Sequence, residues 1–140
     1  MFLTGFTDEA GSDFAVQLKA TRELGWKFME SRGINGKNLA TLTEGEFEAV
    51  AEQLHTAGIA INCYGSAVAN GGKSPRSEAD IRASYDELLR ALPRMRKLKI
   101  RLLRGMSFRP AENEAPDSPE LEEIIFRHVR RFVELCEEYG

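Results

Sequence analysis

The sequence predicts an α/β fold of parallel strands with outer helices, built from four strand-then-helix units. Three observations carry this. Short apolar runs of strand length recur at Leu3–Phe6, Trp26–Ser31, Ile59–Tyr64 and Lys99–Arg104. Each is followed by a polar loop and a segment with helical apolar spacing. Glycines punctuate the return, because Leu24-Gly25 and Ala57-Gly58 each close a helix and lead straight into the next run.

The segments between the runs read as helices in turn. The first starts at Ser12, buries Phe14, Leu18 and Leu24, and stops at Gly25. The second opens on the capping box Thr43-x-x-Glu46, in which each side chain satisfies the other residue's backbone N–H. Phe47, Val50, Ala51, Leu54 and Ala57 then share one face, and Gly58 supplies the left-handed stop. The third carries Ile81, Tyr85, Leu88, Leu92 and Met95 at helical spacing, with Pro93 predicting a kink or an early end. The fourth has Ser118 as cap and Pro119 at its first position. Its stripe is Leu121, Ile124, Ile125, Val129, Phe132, Leu135 and Tyr139, and Gly140 repeats the glycine stop, so a fifth strand is expected next. Strand–helix alternation implies parallel strands joined by crossovers. Such strands form either an open doubly wound sheet or half of an eight-stranded barrel, and periodicity does not choose between them.

With 140 residues, 42% of them hydrophobic and 29% charged, the chain fits one ordinary globular domain. No apolar run approaches the roughly 20 residues of a membrane helix, and residues 1–6 lack the features of a signal peptide. Two cysteines, Cys63 and Cys136, make no disulfide framework, so a cytoplasmic setting is expected. A net charge of −3 argues against a chain built to hold nucleic acid.

Five stretches stand out in order: Thr4-Gly5-Phe6-Thr7-Asp8-Glu9, Leu24-Gly25-Trp26 through Glu30-Ser31-Arg32-Gly33, Gly36-Lys37-Asn38, Ala57-Gly58-Ile59 through Cys63-Tyr64-Gly65-Ser66, and Ile100-Arg101-Leu102. Together they resemble the sugar-phosphate isomerase/epimerase family with its xylose isomerase-like barrel. The resemblance implies a (βα)4 unit, residues 1–140 being the N-terminal half of a TIM (β/α)8 barrel. It also implies a sugar or sugar-phosphate substrate at the C-terminal ends of the strands. A divalent metal (Mn, Mg, Co or Zn) serves a complete barrel of this kind, held by carboxylates and a His on later strands; no cofactor is expected within this chain. The partner is then a missing C-terminal half, or a second copy in a homodimer. A non-catalytic half-barrel acting by self-association is the alternative.

Glu30 and Arg32, two apart at the end of the second run, match the family's Glu-x-Arg; facing one mouth, they suit sugar hydroxyls and an anionic group. A structural ion pair at the rim is the competing reading. Asp8 and Glu9 follow the first run and are substrate candidates, or ordinary partners of a helix start. Lys37 and Asn38 lie in a Gly-flanked loop, suited to an anion or to shaping the loop. Gly65 and Ser66 end the third run, where backbone approaches a ligand. Arg101 is expected inside the fourth strand, pointing inward and paired with a carboxylate. No catalytic or metal-ligating residue is assigned. Ala67 to Ser74 mimics a nucleotide loop, but Pro75 follows at once where a helix must run through the Lys-Ser. His55 and His128 lie in helices, away from strand ends. The basic run Arg94 to Arg104 lacks interleaved aromatic residues, so nucleic acid is not expected as a partner, and without a long apolar run neither is a membrane.

Overall fold

In the computed structural model residues 1–112 and 114–139 are described; Gly140, and the helix stop expected there, lie outside them. A 3-10 turn at Thr7–Glu9 precedes α1 (Phe14–Glu23), β1 (Phe28–Ser31), α2 (Glu44–Ala57), β2 (Ala60–Gly65), α3 (Glu78–Leu98), β3 (Leu102–Arg104) and α4 (Pro119–Tyr139). The strands are parallel in the order β1-β2-β3. The expected alternation is present with one strand fewer. Leu3–Phe6 makes a single bridge, Phe6 to Glu30, with the Glu30 N–H donating to the Gly5 carbonyl at 2.9 Å. Only β1 is available to pair with it and a turn starts at Thr7, so the ladder does not extend. Phe2 and Leu3 stay exposed.

The chain divides into two compact units: Met1–Ser66 with Pro93–Arg104, and Ala67–Leu92 with Gly105–Gly140. In the first, Asp13 rather than Ser12 caps α1, its Oδ1 accepting from the N–H groups of Ala15 (2.7 Å) and Val16 (3.3 Å). Phe14 and Leu18 are buried as expected, but Leu24 is 61% exposed, because the helix ends at Glu23 and the next residue turns outward. The buried stripe is completed by polar residues. Gln17, with 0% exposure, donates from Nε2 to the carbonyls of Gly11 and Gly33, both at 2.9 Å, and accepts from the Thr7 hydroxyl at 3.1 Å. A buried amide so satisfied ties three loops to one helix.

The capping box of α2 forms as expected: Glu46 N–H donates to Thr43 Oγ1 (3.3 Å) and Thr43 N–H to Glu46 Oε2 (2.7 Å). Phe47, Val50 and Leu54 are buried, each worth about 1.5–3 kcal/mol, while Ala51 and Ala57 are half-buried. The exposed pairs Lys97–Glu48 and Lys19–Glu23 add about 1 kcal/mol or less apiece. Burial therefore dominates here.

Three helices end by one device. A residue in the left-handed conformation is followed by an N–H that reaches back five residues: Gly25 (φ 70°) with Trp26 N–H to Thr21 O, Gly58 (φ 63°) with Ile59 N–H to Leu54 O, and Lys99 (φ 58°) with Ile100 N–H to Met95 O. The third stop uses a lysine. It also corrects the expectation for Arg101. Lys99 and Ile100 are spent closing α3, so β3 begins at Leu102, and Arg101 lies before it, exposed and without an ion pair among the described residues.

Pro93 does not end α3, which runs on to Leu98. The bond that Pro93 cannot donate would go to the carbonyl of Leu89, on an exposed turn where water is at hand. In the second unit Ser84, Glu87, Leu88 and Ala91 of α3 are buried. On α4 only Leu121 and Phe132 are buried outright, and Phe132 packs edge-on against Tyr85 at 4.9 Å. Ile124, Ile125, Val129, Leu135 and Tyr139 are half-buried, so the expected stripe is incompletely covered.

Two outcomes follow from the helix ends. Lys99→Gly removes the left-handed penalty on a side chain against a smaller entropic loss, and raises stability by about 0.5–1 kcal/mol in urea unfolding. The Glu46 carboxyl is held down to about 2, first by its hydrogen bond from Lys37 and then by the Thr43 N–H. A lowered carboxyl pKa stabilises the fold above the ordinary value of 4.5, and that stability is lost as the pH falls through 4.5 towards 2. Glu46→Gln therefore flattens the acid limb of an unfolding-midpoint profile between those values.

Candidate functional site

The C-terminal ends of the strands gather one cluster within the first unit. Register sets its floor: Glu30 lies opposite Cys63, Cys63 opposite Leu102, and Gly65 opposite Arg104. Partners across a parallel ladder share a face, and residues two apart return to it. Glu30, Cys63, Gly65 and Arg104 therefore lie on one side of the sheet. The Phe6 ring covers Gly65 so closely that a Cβ there would sit 2.6 Å from Phe6 Cε1 and 3.2 Å from Arg32 Cβ. Two guanidinium groups use that ring, Arg32 at 5.0 Å and Arg104 at 4.9 Å from its centroid. Such contacts are worth about 0.5–2 kcal/mol, more as water is excluded.

The two arginines differ in their partners. Arg32, just past the end of β1, donates from Nε to Asp8 Oδ2 at 2.9 Å and lies 3.5 Å from Glu9. The Asp8 hydrogen bond, then its charge, raises the Arg32 pKa above its ordinary value. This brings Arg32, Asp8 and Glu9 together as an ion-pair group at the rim, with Asp8 Oδ1 buried and unpartnered. Arg104 has no carboxylate within ion-pair distance among the described residues. Its Nη2 donates to the Ser66 carbonyl at 3.4 Å, the Ser66 hydroxyl donates to the Arg104 carbonyl at 2.6 Å, and Arg104 Nε is buried without a partner.

Glu30 likewise has no ion-pair partner among the described residues; its backbone holds the bridge to the Gly5–Phe6 segment. Cys63 sits between Glu30 and Arg104. Burial first, and the Glu30 charge second, push its thiol pKa up, so it is a neutral filler and not a nucleophile.

Lys37 and Asn38 are drawn to the start of α2. Lys37 Nζ lies 2.6 Å from Glu46 Oε1, and Asn38 Oδ1 accepts from the Thr41 N–H at 3.0 Å. In the second unit, Lys73 of the nucleotide-loop mimic donates to the Ala67 carbonyl at 2.6 Å and pairs with Glu87 at 3.8 Å; the helix starts at Glu78, not at Lys73. His128 packs against Phe108, and burial lowers its pKa. Among the described residues no three His, Cys, Asp or Glu side chains come together to hold a metal ion.

Sequence reasoning missed Phe6 and Arg104. Arg104 was legible only as one member of a basic run, whereas its position as the last residue of a strand carries the signal.

Solved structures share this fold. D-psicose 3-epimerase from Clostridium cellulolyticum H10, determined with D-tagatose, matches with a TM-score of 0.68 and 17% identity, over 100% of this chain and 50% of that one. A xylose isomerase-like TIM barrel protein from Mycobacterium smegmatis, in complex with magnesium, matches with a TM-score of 0.69 and 15% identity, over 99% and 52%. L-ribulose 3-epimerase matches with a TM-score of 0.67 and 16% identity, over 99% and 47%. The chain therefore has the fold of half a xylose isomerase-like TIM barrel and spans about half the length of these proteins. No protein-family model matches the sequence, and no curated protein matches it.

Because Phe6 rests on the bare backbone of Gly65, Gly65→Ala displaces the ring on which both arginines lie. It is expected to cost about 1–3 kcal/mol in urea unfolding, as overpacking does. Gly71→Ala, with nothing within 4 Å of its Cβ position, serves as the neutral control.

Proposed function

We propose that this chain supplies the substrate-facing half of a metal-assisted isomerase or epimerase acting on a sugar or sugar phosphate. The observation that carries it is the placement of two charges without ion-pair partners among the described residues, Glu30 and Arg104, on one sheet face at the C-terminal strand ends. Barrel enzymes place their chemistry at that end. The structural neighbours named as epimerases support the substrate class. In this reading Glu30 accepts hydrogen bonds from sugar hydroxyls, while Gly65 and Ser66 shape the floor beneath the ligand, Gly65 by seating the Phe6 ring and Ser66 by bonding Arg104. Arg32, steadied by Asp8 and Glu9, forms the rim, and Lys37 and Asn38 shape the loop beside it.

The described residues do not fit a divalent metal, so the ion and the base that moves the proton come from residues outside this group. The work of this half is positioning: it holds the polyol so that one C–H meets that base. Fixing a substrate in this way is a large share of the barrier for a proton transfer between carbons.

The exposed apolar residues Phe2, Leu3 and Leu102 favour one further arrangement, in which this face is covered by a second copy or by a separate half.

The test is epimerisation and ketose–aldose interconversion with added Mn²⁺, using protein expressed from the whole reading frame. Metal-dependent turnover on at least one sugar is expected, with Glu30→Gln lowering kcat/KM by about 10–100-fold, the worth of one charge-assisted hydrogen bond. No metal-dependent turnover across ketoses, aldoses and their phosphate esters would sink the proposal. Sedimentation of the 140-residue chain tests the second arrangement, which a monomer at micromolar concentration would exclude.

A further inference from the structure

We infer that Arg104 anchors an oxyanion, a phosphate or a carboxylate, carried by the ligand of this site. The inference rests on the sugar reading above only for the molecule that bears the anion.

Arg104 keeps bonding capacity that the described residues leave unmet. A guanidinium presents five N–H donors in a rigid plane. For Arg104 one face of that plane is taken by the Phe6 ring and one N–H by the Ser66 carbonyl. The buried Nε–H has no acceptor among the described residues. A buried donor left unmade is costly, and a ring contact offsets charge without accepting along the N–H direction. The Nε and Nη edge is the one that grips two oxygens of a carboxylate or phosphate side by side.

Other cations near the strand ends are already neutralised: Arg32 by Asp8 and Glu9, Lys37 by Glu46. Glu30, on the same face beyond the neutral Cys63, suits hydroxyls and not a second anion. The pair thus selects a polyhydroxylated anion, a sugar phosphate or a sugar acid, over a neutral sugar.

The probes are inorganic phosphate and glycolate, titrated at constant ionic strength against the chain by calorimetry, with the arginine Nε–H resonances followed by NMR. Millimolar binding of either anion is expected, with one Nε–H resonance shifting on saturation and absent from Arg104 variants. Arg104→Met weakens binding about tenfold or more, Arg104→Lys keeps the charge but loses the Nε–H shift, and Arg101→Met, at an exposed arginine before β3, binds within about threefold of the parent. Preference for phosphate over glycolate, or the reverse, identifies the source of the anion, and either supports the inference. Absence of binding up to about 50 mM, or equal loss in Arg101→Met, would overturn it. Should Arg104→Met fail to fold, the lysine variant and the NMR readout decide. Turnover separates this inference from the proposed function: neutral-sugar turnover without anion binding overturns the inference alone, and anion binding without any turnover overturns the function alone.

Discussion

The contact of the Phe6 ring with the backbone of Gly65 is the constraint on which the strand-end cluster depends. Only a residue without a Cβ lets the ring reach the sheet at that point. The ring fills the place of the side chain Gly65 lacks and offers its faces to Arg32 and Arg104. Phe6 is held there by a single bridge to β1, so a segment too weakly paired to count as a strand still delivers the residue that organises the rim. Gln17 supports this from below, its amide fixing Thr7 and Gly33 on either side of the Asp8–Arg32 pair.

Much of the fold was legible because it rests on local chemistry. The Thr43–Glu46 box and the glycines at 25 and 58 act over a few residues, and sequence shows such devices directly. What escaped had partners distant in the chain or broke a composition rule. Lys99 performs a glycine's part, which no propensity announces, and that displaced β3 and with it Arg101. Asp13 took the cap from Ser12, a one-residue difference between two equally good capping types. Gln17 occupies the buried stripe of α1 because loops supply acceptors and a donor that the helix sequence does not reveal, while the Thr21 hydroxyl donates within the helix to the Gln17 carbonyl at 2.8 Å. Leu24, read as core, fell just past the last helical turn.

The site was legible by place more than by role. Reading the ends of apolar runs found Glu30, Arg32, Gly65 and Ser66, but the spacing that set Glu30 beside Arg32 said nothing of Asp8 and Glu9, which reach Arg32 first. A β-bulge between Met29 and Glu30 changes which β2 residue faces Glu30, bringing Cys63 opposite it instead of Asn62. Period-two reasoning does not foresee such a shift.

The difference between the two arginines is what moves the argument beyond fold. A likeness at 17% identity establishes architecture, and one architecture hosts many chemistries. Ion pairs at the surface, such as Arg76 with Glu114 and Glu120, are complete within the chain and call for nothing else. Arg32 belongs with these. Arg104 and Glu30 do not: among the described residues each keeps a charge without an ion-pair partner, on one sheet face with β2 between them, and Arg104 also keeps a buried donor unpaired. Folding alone gives no return for that arrangement, since an apolar pair of similar volume would cost less. In the proposed reading a ligand completes both charges, its anion at Arg104 and its hydroxyls at Glu30.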